Sequence, residues 1–176
     1  QGGDSDGIAP IGEVVEFSER NGDAIYVLRL PLSSLPQLMS SLAPTSKRTL
    51  SSFAIETLSP GKILASFTLS RAALLNGQKF YDTVLKLSGS PFPWDQPESV
   101  LVDGGYLLRK VVLDGQGMIA VTGLTMKSRL IFEKLFPALE SVPNVSEPFF
   151  QRGTYSDVPG GRLMEFTVTA RGPLLQ

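Results

Sequence analysis

The sequence predicts an α+β protein of two tandem ββαββ units, each an antiparallel sheet covered by one main helix. Three observations predict it. A pattern of strand pair, helix and strand pair in the first half returns in the second, as an internal repeat does. Matching residues recur with it: Ile25, Val27, Leu30 and Ser34 stand 94 positions before Ile119, Val121, Leu124 and Ser128. Pro60, Gly61, Leu64, Phe67 and Thr68 stand 99 positions before Pro159, Gly160, Leu163, Phe166 and Thr167, which places extra residues near the second helix's C-terminus. The expected organisation is a flexible leader over 1–10, a first repeat over 11–75, a helix and proline-rich linker over 76–104 and a second repeat over 105–173. Each repeat is near the lower size limit of what folds alone, so the halves are expected to pack on each other or on a partner.

The elements follow in order. Glu13 to Glu19 and Ala24 to Leu32 are β-rich runs, and Asn21-Gly22 between them suits a type I′ turn with φ > 0 at both centres. Ser33 or Ser34 is placed to cap a helix, Pro36 fits its first turn, and Leu35, Leu38, Met39 and Leu42 recur at helical spacing until Pro44. Thr49 to Leu58 and Ile63 to Arg71 flank the turn Ser59-Pro60-Gly61-Lys62. The second of these runs alternates with period two, so one face meets a core. Leu74 to Leu87 reads as a short amphipathic helix. Pro91, Pro93 and Pro97 leave the next stretch extended. Tyr106 to Leu113 and Met118 to Met126 form a hairpin at Asp114-Gly115. Ser128 is expected to cap a helix over about 129–141, bent by Pro137. Val145 to Thr154 and Leu163 to Arg171 close the chain as a hairpin.

Composition narrows the chemistry. The 176 residues carry Lys+Arg 16 against Asp+Glu 17, without a basic stripe, which argues against nucleic acid as a partner. There is no cysteine and no histidine, which removes thiolate chemistry, Cys-type zinc sites and the commonest general base. No apolar run reaches the ~18 residues that would span a bilayer. Any membrane attachment would come through an anchor absent from this chain.

No catalytic, cofactor-binding or metal site emerges. Gly115-Gln116-Gly117 lacks the helix N-terminus that a phosphate loop needs and reads as a hairpin turn. Glu13 and Glu16, at odd spacing on a strand, are expected on opposite faces. Asp103 and Asp114 sit beside glycines and suit turns. Glu165 aligns with Ser66, so no carboxylate recurs with the repeat. Asn144-Val145-Ser146 matches a glycosylation acceptor, which has meaning only in a eukaryotic secretory route.

Four aromatic residues stand out as a partner interface: Phe92 and Trp94 in the linker, and the adjacent Phe149 and Phe150 on a strand. The linker pair either folds back over a core edge or anchors a partner. Of the strand pair, one ring must face away from its own core.

The second half also carries a resemblance. Pro97-Glu98-Ser99-Val100 precedes a strand. Gly117 to Thr125 forms another, a helix with Phe132, Leu135 and Leu139 follows, then Val145-Ser146-Glu147-Pro148-Phe149-Phe150, and Met164-Glu165-Phe166-Thr167-Val168 closes. This order resembles the periplasmic region of PilN-type fimbrial assembly proteins, over about residues 97–171. The first half follows the outline more loosely, with Arg29 where Gly123 stands. The resemblance implies ferredoxin-like units and a non-enzymatic, periplasmic role in the inner-membrane platform of type IV pili or type II secretion. It also implies pairing with a PilO-like subunit or with a second copy as a homodimer. Two other readings compete: a small-ligand-binding regulatory domain with a polar pocket between the repeats, and a carboxylate-dependent hydrolase. A filled apolar junction between the repeats would favour the assembly reading over the ligand-binding one.

Overall fold

Local turn chemistry sets four hairpins. β1 (Glu13–Arg20) returns into β2 (Asp23–Pro31) through Asn21 and Gly22, whose φ values of 55° and 87° are those a type I′ turn requires. β3 (Thr49–Ser59) and β4 (Lys62–Ser70), β5 (Tyr106–Leu113) and β6 (Met118–Thr125), and β7 (Ser146–Val158) and β8 (Gly161–Arg171) are the other three hairpins; in the first and last a proline, which cannot take positive φ, precedes a glycine that does, Gly61 at 80° and Gly160 at 95°. The protein is seen here as a computed structural model that describes residues 8, 11–45, 47–71, 75–89, 92, 94 and 96–175. Most of the leader expected over 1–10 lies outside the described residues. Ile8 is described, and it is buried in the core.

The expectation of two ββαββ, ferredoxin-like units is overturned. The strands form a single eight-stranded antiparallel sheet in the order β1-β2-β4-β3-β5-β6-β8-β7. The join is β3 against β5, with Phe53 opposite Leu113, Ala54 opposite Val112, Ile55 opposite Val111 and Glu56 opposite Lys110. Each half alone would leave β3 or β5 as an unpaired inner edge, and edge N–H and C=O groups favour pairing. The two edges satisfy each other.

The duplication persists inside this sheet as strand order and as bulges. Val15 is the extra residue of a bulge in β1, and Arg109 occupies the same place in β5. Ser51 in β3 and Gln151 in β7 correspond when measured from their own hairpin turns, although Phe67 pairs with Tyr26 while Phe166 pairs with Gly123, two residues past Val121. The 94-residue offset, however, is one residue out of structural register. Ile25 is half-exposed where Ile119 is fully buried, and Leu30 is buried where Leu124 is only partly so. Ala24 is the counterpart of Ile119, and Tyr26 of Val121. Pairs Glu19–Ala24 and Leu113–Ile119 enclose the two turns, and the second encloses one residue more. With a side-chain period of two, that single residue swaps the faces.

The helices are short. A 3₁₀ turn (Leu32–Ser34) leads into α1 (Leu35–Ser41), with Pro36 in its first turn as expected, but no serine side chain caps it. α2 (Gly77–Leu87) is the longest, and α3 (Ser99–Val102) is a single turn. The second-half helix expected over about 129–141 is present without a gap over residues 129–140, with a π-helical turn (Ile131–Leu135) running into α4 (Phe136–Glu140), and Ser128 makes no side-chain cap. Pro137 explains the π turn. It has no N–H to return to Glu133, and its ring would strike that carbonyl, so the preceding turn widens until the Phe136 N–H reaches Ile131 O.

One face of the sheet and these helices share one core. Tyr26, Leu28, Phe67, Ile55, Val121, Phe166 and Val168 meet Leu38, Met39, Phe80, Val84, Leu135 and Leu139. Rings step across four strands, Phe17 to Tyr26 at 4.8 Å, Tyr26 to Phe67 at 5.2 Å and Phe67 to Phe53 at 6.2 Å between centroids. α2 ties the halves together. Tyr81 Oη donates to Met39 O at 2.9 Å in the first half, and Thr83, fully buried, donates to Pro143 O at 3.0 Å in the second.

Candidate partner-binding edges and an apolar cavity

The strand order leaves the outer sides of β1 and β7 without a pairing strand among the described residues. The two edges differ in side chains. β1 carries Glu13, Glu16 and Glu19 with exposed Val14 and Val15. The Val15 bulge places Glu13 opposite Arg29 and Glu16 opposite Val27, so both carboxylates lie on the same face, contrary to the odd-spacing expectation. Glu13 pairs with Arg29 at 2.9 Å, and Glu19 pairs with Arg48 at 2.8 Å. The first pair is exposed on both sides and contributes at most about 1 kcal/mol.

β7 is an aromatic edge. Phe149 pairs with Thr169 and lies at the end of a row crossing the open face of the sheet, through Ala120, Val112, Ala54, Ser66 and Val27 to Glu16. It is 63% exposed. Phe150 points to the helical face, partly buried, with its ring 6.0 Å from that of Phe132. Phe132 is itself 54% exposed and lies 5.0 Å from Phe136. Tyr155, 49% exposed, has the Arg162 guanidinium 4.9 Å from its ring centroid. A strand arriving at β7 would therefore find aromatic surface on both sides of its backbone.

The linker aromatics lie elsewhere. Phe92 and Trp94 are buried, each 4% exposed, and Trp94 Nε1 donates to Leu87 O at 3.1 Å at the end of α2. They fold back and cover the core, so they present no surface to a partner. The Phe92 N–H donates to Gly89 O and the Trp94 N–H to Phe92 O, each at 3.0 Å; the remaining linker residues between Gly89 and Gln96 lie outside the described residues.

The junction of the halves is apolar and filled on the core side, with Phe53, Ile55, Val111 and Leu113 buried. A separate open cavity of about 350 Å³ lies on the second half, lined by Val100, Gly105, Tyr106, Leu130, Lys134 and Ala138 among others. The sequence reading missed it, since its wall comes from α3, the start of β5 and the helix over residues 129–140, which only the fold brings together. Burial raises the Tyr106 hydroxyl above the ordinary tyrosine value of 10.0. The sign gives a test. A raised folded pKa means stability fully present below pH ~10 and lost as pH climbs through the folded value. Urea unfolding at pH 8 and pH 11 is expected to show a smaller alkaline loss in Tyr106→Phe than in the parent chain; equal losses would remove Tyr106 from the effect.

Among the described residues, no group of three or more carboxylates is placed to hold a metal ion. The Gly115-Gln116-Gly117 stretch is a turn in which Asp114 Oδ1 accepts from the Gln116 and Met118 N–H groups at 2.9 and 3.1 Å. Comparison with protein-family models, curated proteins and solved structures finds no match to this chain.

Proposed function

We propose that this chain is a non-enzymatic assembly module that works through protein–protein pairing at a sheet edge. In this reading it serves the periplasmic side of a bacterial envelope machine of the type IV pilus or type II secretion platform class. The observation that carries the pairing role is the β7 edge, which has no pairing strand among the described residues, with Phe149 exposed on one face and Phe132 and Tyr155 exposed on the other. Main-chain groups along such an edge supply affinity, and flanking side chains supply selectivity. The filled apolar junction between the halves supports the same reading over a ligand pocket there. The envelope assignment rests on the resemblance of residues 97–171 to PilN-type proteins.

The test is a photo-crosslinking residue at Phe149 in a bacterium that builds such a machine. Adducts to a platform subunit of the PilO kind, or to the same chain, are the expected result. Adducts absent at Phe149 and at an exposed control such as Val102 alike would sink the pairing role.

The cavity of about 350 Å³ favours a second reading, a small-ligand-binding domain whose ligand is largely apolar. A ligand present at a hundred times its Kd stabilises by about 2.7 kcal/mol. A thermal-shift screen giving that effect, abolished by filling the cavity with Leu130→Trp, would put this reading first.

A further inference from the structure

The chain already contains one edge-to-edge join, and its own duplication says where the next would form. β3 and β7 are counterparts, fixed by their matching bulges at Ser51 and Gln151. β5 and β1 are counterparts, fixed by the bulges at Arg109 and Val15. Within the chain, β3 pairs with β5. The counterparts of those two edges, β7 and β1, are the two that remain unpaired among the described residues.

From this we infer that β7 of one copy pairs antiparallel with β1 of a second copy, repeating the β3–β5 join and extending the sheet from chain to chain. This rests on the edge-pairing role proposed above and names the partner strand.

Aligned bulge to bulge, Ser51 on Gln151 and Arg109 on Val15, the internal register carries across as follows. Phe53 opposite Leu113 becomes Gly153 opposite Glu19 of the next copy. Ala54 opposite Val112 becomes Thr154 opposite Ser18. Ile55 opposite Val111 becomes Tyr155 opposite Phe17, and Glu56 opposite Lys110 becomes Ser156 opposite Glu16. These pairs are chemically compatible. None of these four sets like charges against each other, and Thr with Ser is a favourable cross-strand pair; the next step brings Arg152 opposite Arg20, at the end of β1 where the strand leaves the sheet. Tyr155 would arrive beside Phe17, the outermost ring of the series Phe17, Tyr26, Phe67 and Phe53, and lengthen it by one ring.

The twofold alternatives fit less well. β1 paired with itself would gather Glu13, Glu16 and Glu19 from both copies along one seam. β7 crossed with itself at its centre would oppose Arg152 to Arg152. Like charges directly opposite are destabilising. A β7-to-β1 contact is heterologous, so it leaves a free edge at each end and gives a ring or an open filament where a twofold contact gives a closed dimer.

The chain has no cysteine, so disulfide trapping has a clean background. Ser18→Cys and Thr154→Cys are made singly, mixed and oxidised. Ala54→Cys with Val112→Cys in one chain is the control, since it tests the same geometry at the internal join. The mixture is expected to cross-link severalfold more than either variant alone, and a chain carrying both Ser18→Cys and Thr154→Cys is expected to give a ladder of multimers. Cross-linking confined to Thr154→Cys alone, or none when the internal control closes, overturns the inference. Capture of a different envelope subunit at Thr154→Cys overturns it too, but leaves the assembly role standing. Protection of neither edge in hydrogen exchange with any partner would remove both.

Discussion

Phe80→Ala is expected to lower the unfolding free energy by about 3–5 kcal/mol, the usual cost of truncating a fully buried phenylalanine. The loss should be felt in both halves at once. Phe80 lies in α2, the helix whose Tyr81 holds Met39 O and whose Thr83 holds Pro143 O. Its ring belongs to a core cluster that includes Phe67 from the first half and Phe166 from the second. One sheet over one core predicts one cooperative transition. Urea denaturation followed by far-UV circular dichroism and by fluorescence of Trp94, the single tryptophan, should give coincident midpoints, both lowered by the mutation. Amide exchange supplies the sharper readout. β2 and β4 amides should lose protection together with those of β6 and β8. Protection lost in one half with the other unchanged would mean two independent folding units, and the continuous sheet would then carry little of the stability.

What the sequence disclosed and what it hid separate along the line between local and long-range physics. Asn21-Gly22 and Pro60-Gly61 announced their turns because turn conformation depends on a few adjacent residues. Pro137 announced a disturbed helix for the same reason, although the form it took, a π-helical turn, depends on how Ile131 and Leu135 reach the core. The bulges at Val15, Ser51, Arg109 and Gln151 left no signal in composition. Each sends the strand beyond it to the opposite alternation, which is why Glu13 and Glu16 share a face. The longer second turn hid in the same way, since matching Ile25 to Ile119 by identity overrides a one-residue insertion that only the faces reveal. The β3–β5 join is the least legible feature of all. It unites edges that are far apart in sequence, and nothing in Ala54 or Val112 says that they are opposite. For the candidate site, adjacency of Phe149 and Phe150 was enough to put one ring outside. The fates of Phe92 and Trp94 were decided by space at the end of α2, where the indole N–H found Leu87 O.

Gly123→Ala carries the second large expected effect, and it separates packing from backbone conformation. Gly123 lies in β6 between Leu108 on β5 and Phe166 on β8. A β-carbon there would meet Leu107 O at 2.5 Å and Phe166 Cζ at 2.7 Å. Both distances are too short to persist, and the carbonyl belongs to a paired strand that cannot retreat without losing its ladder. Overpacking of a filled core costs roughly 1–3 kcal/mol and occasionally more. The upper part of that range is expected here, because Phe166 is fully buried and has no free volume to turn into. Phe166→Leu in the same chain tells the two contacts apart. If the ring is the main obstacle, the double variant will be less destabilised than the two single losses added together, with a coupling of about 1 kcal/mol or more in a double-mutant cycle. If the Leu107 carbonyl dominates, the losses will add and the β5–β6 amides will lose exchange protection before those of β6–β8. A stable Gly123→Ala chain with unchanged exchange would contradict the close approach of β5, β6 and β8 at this point.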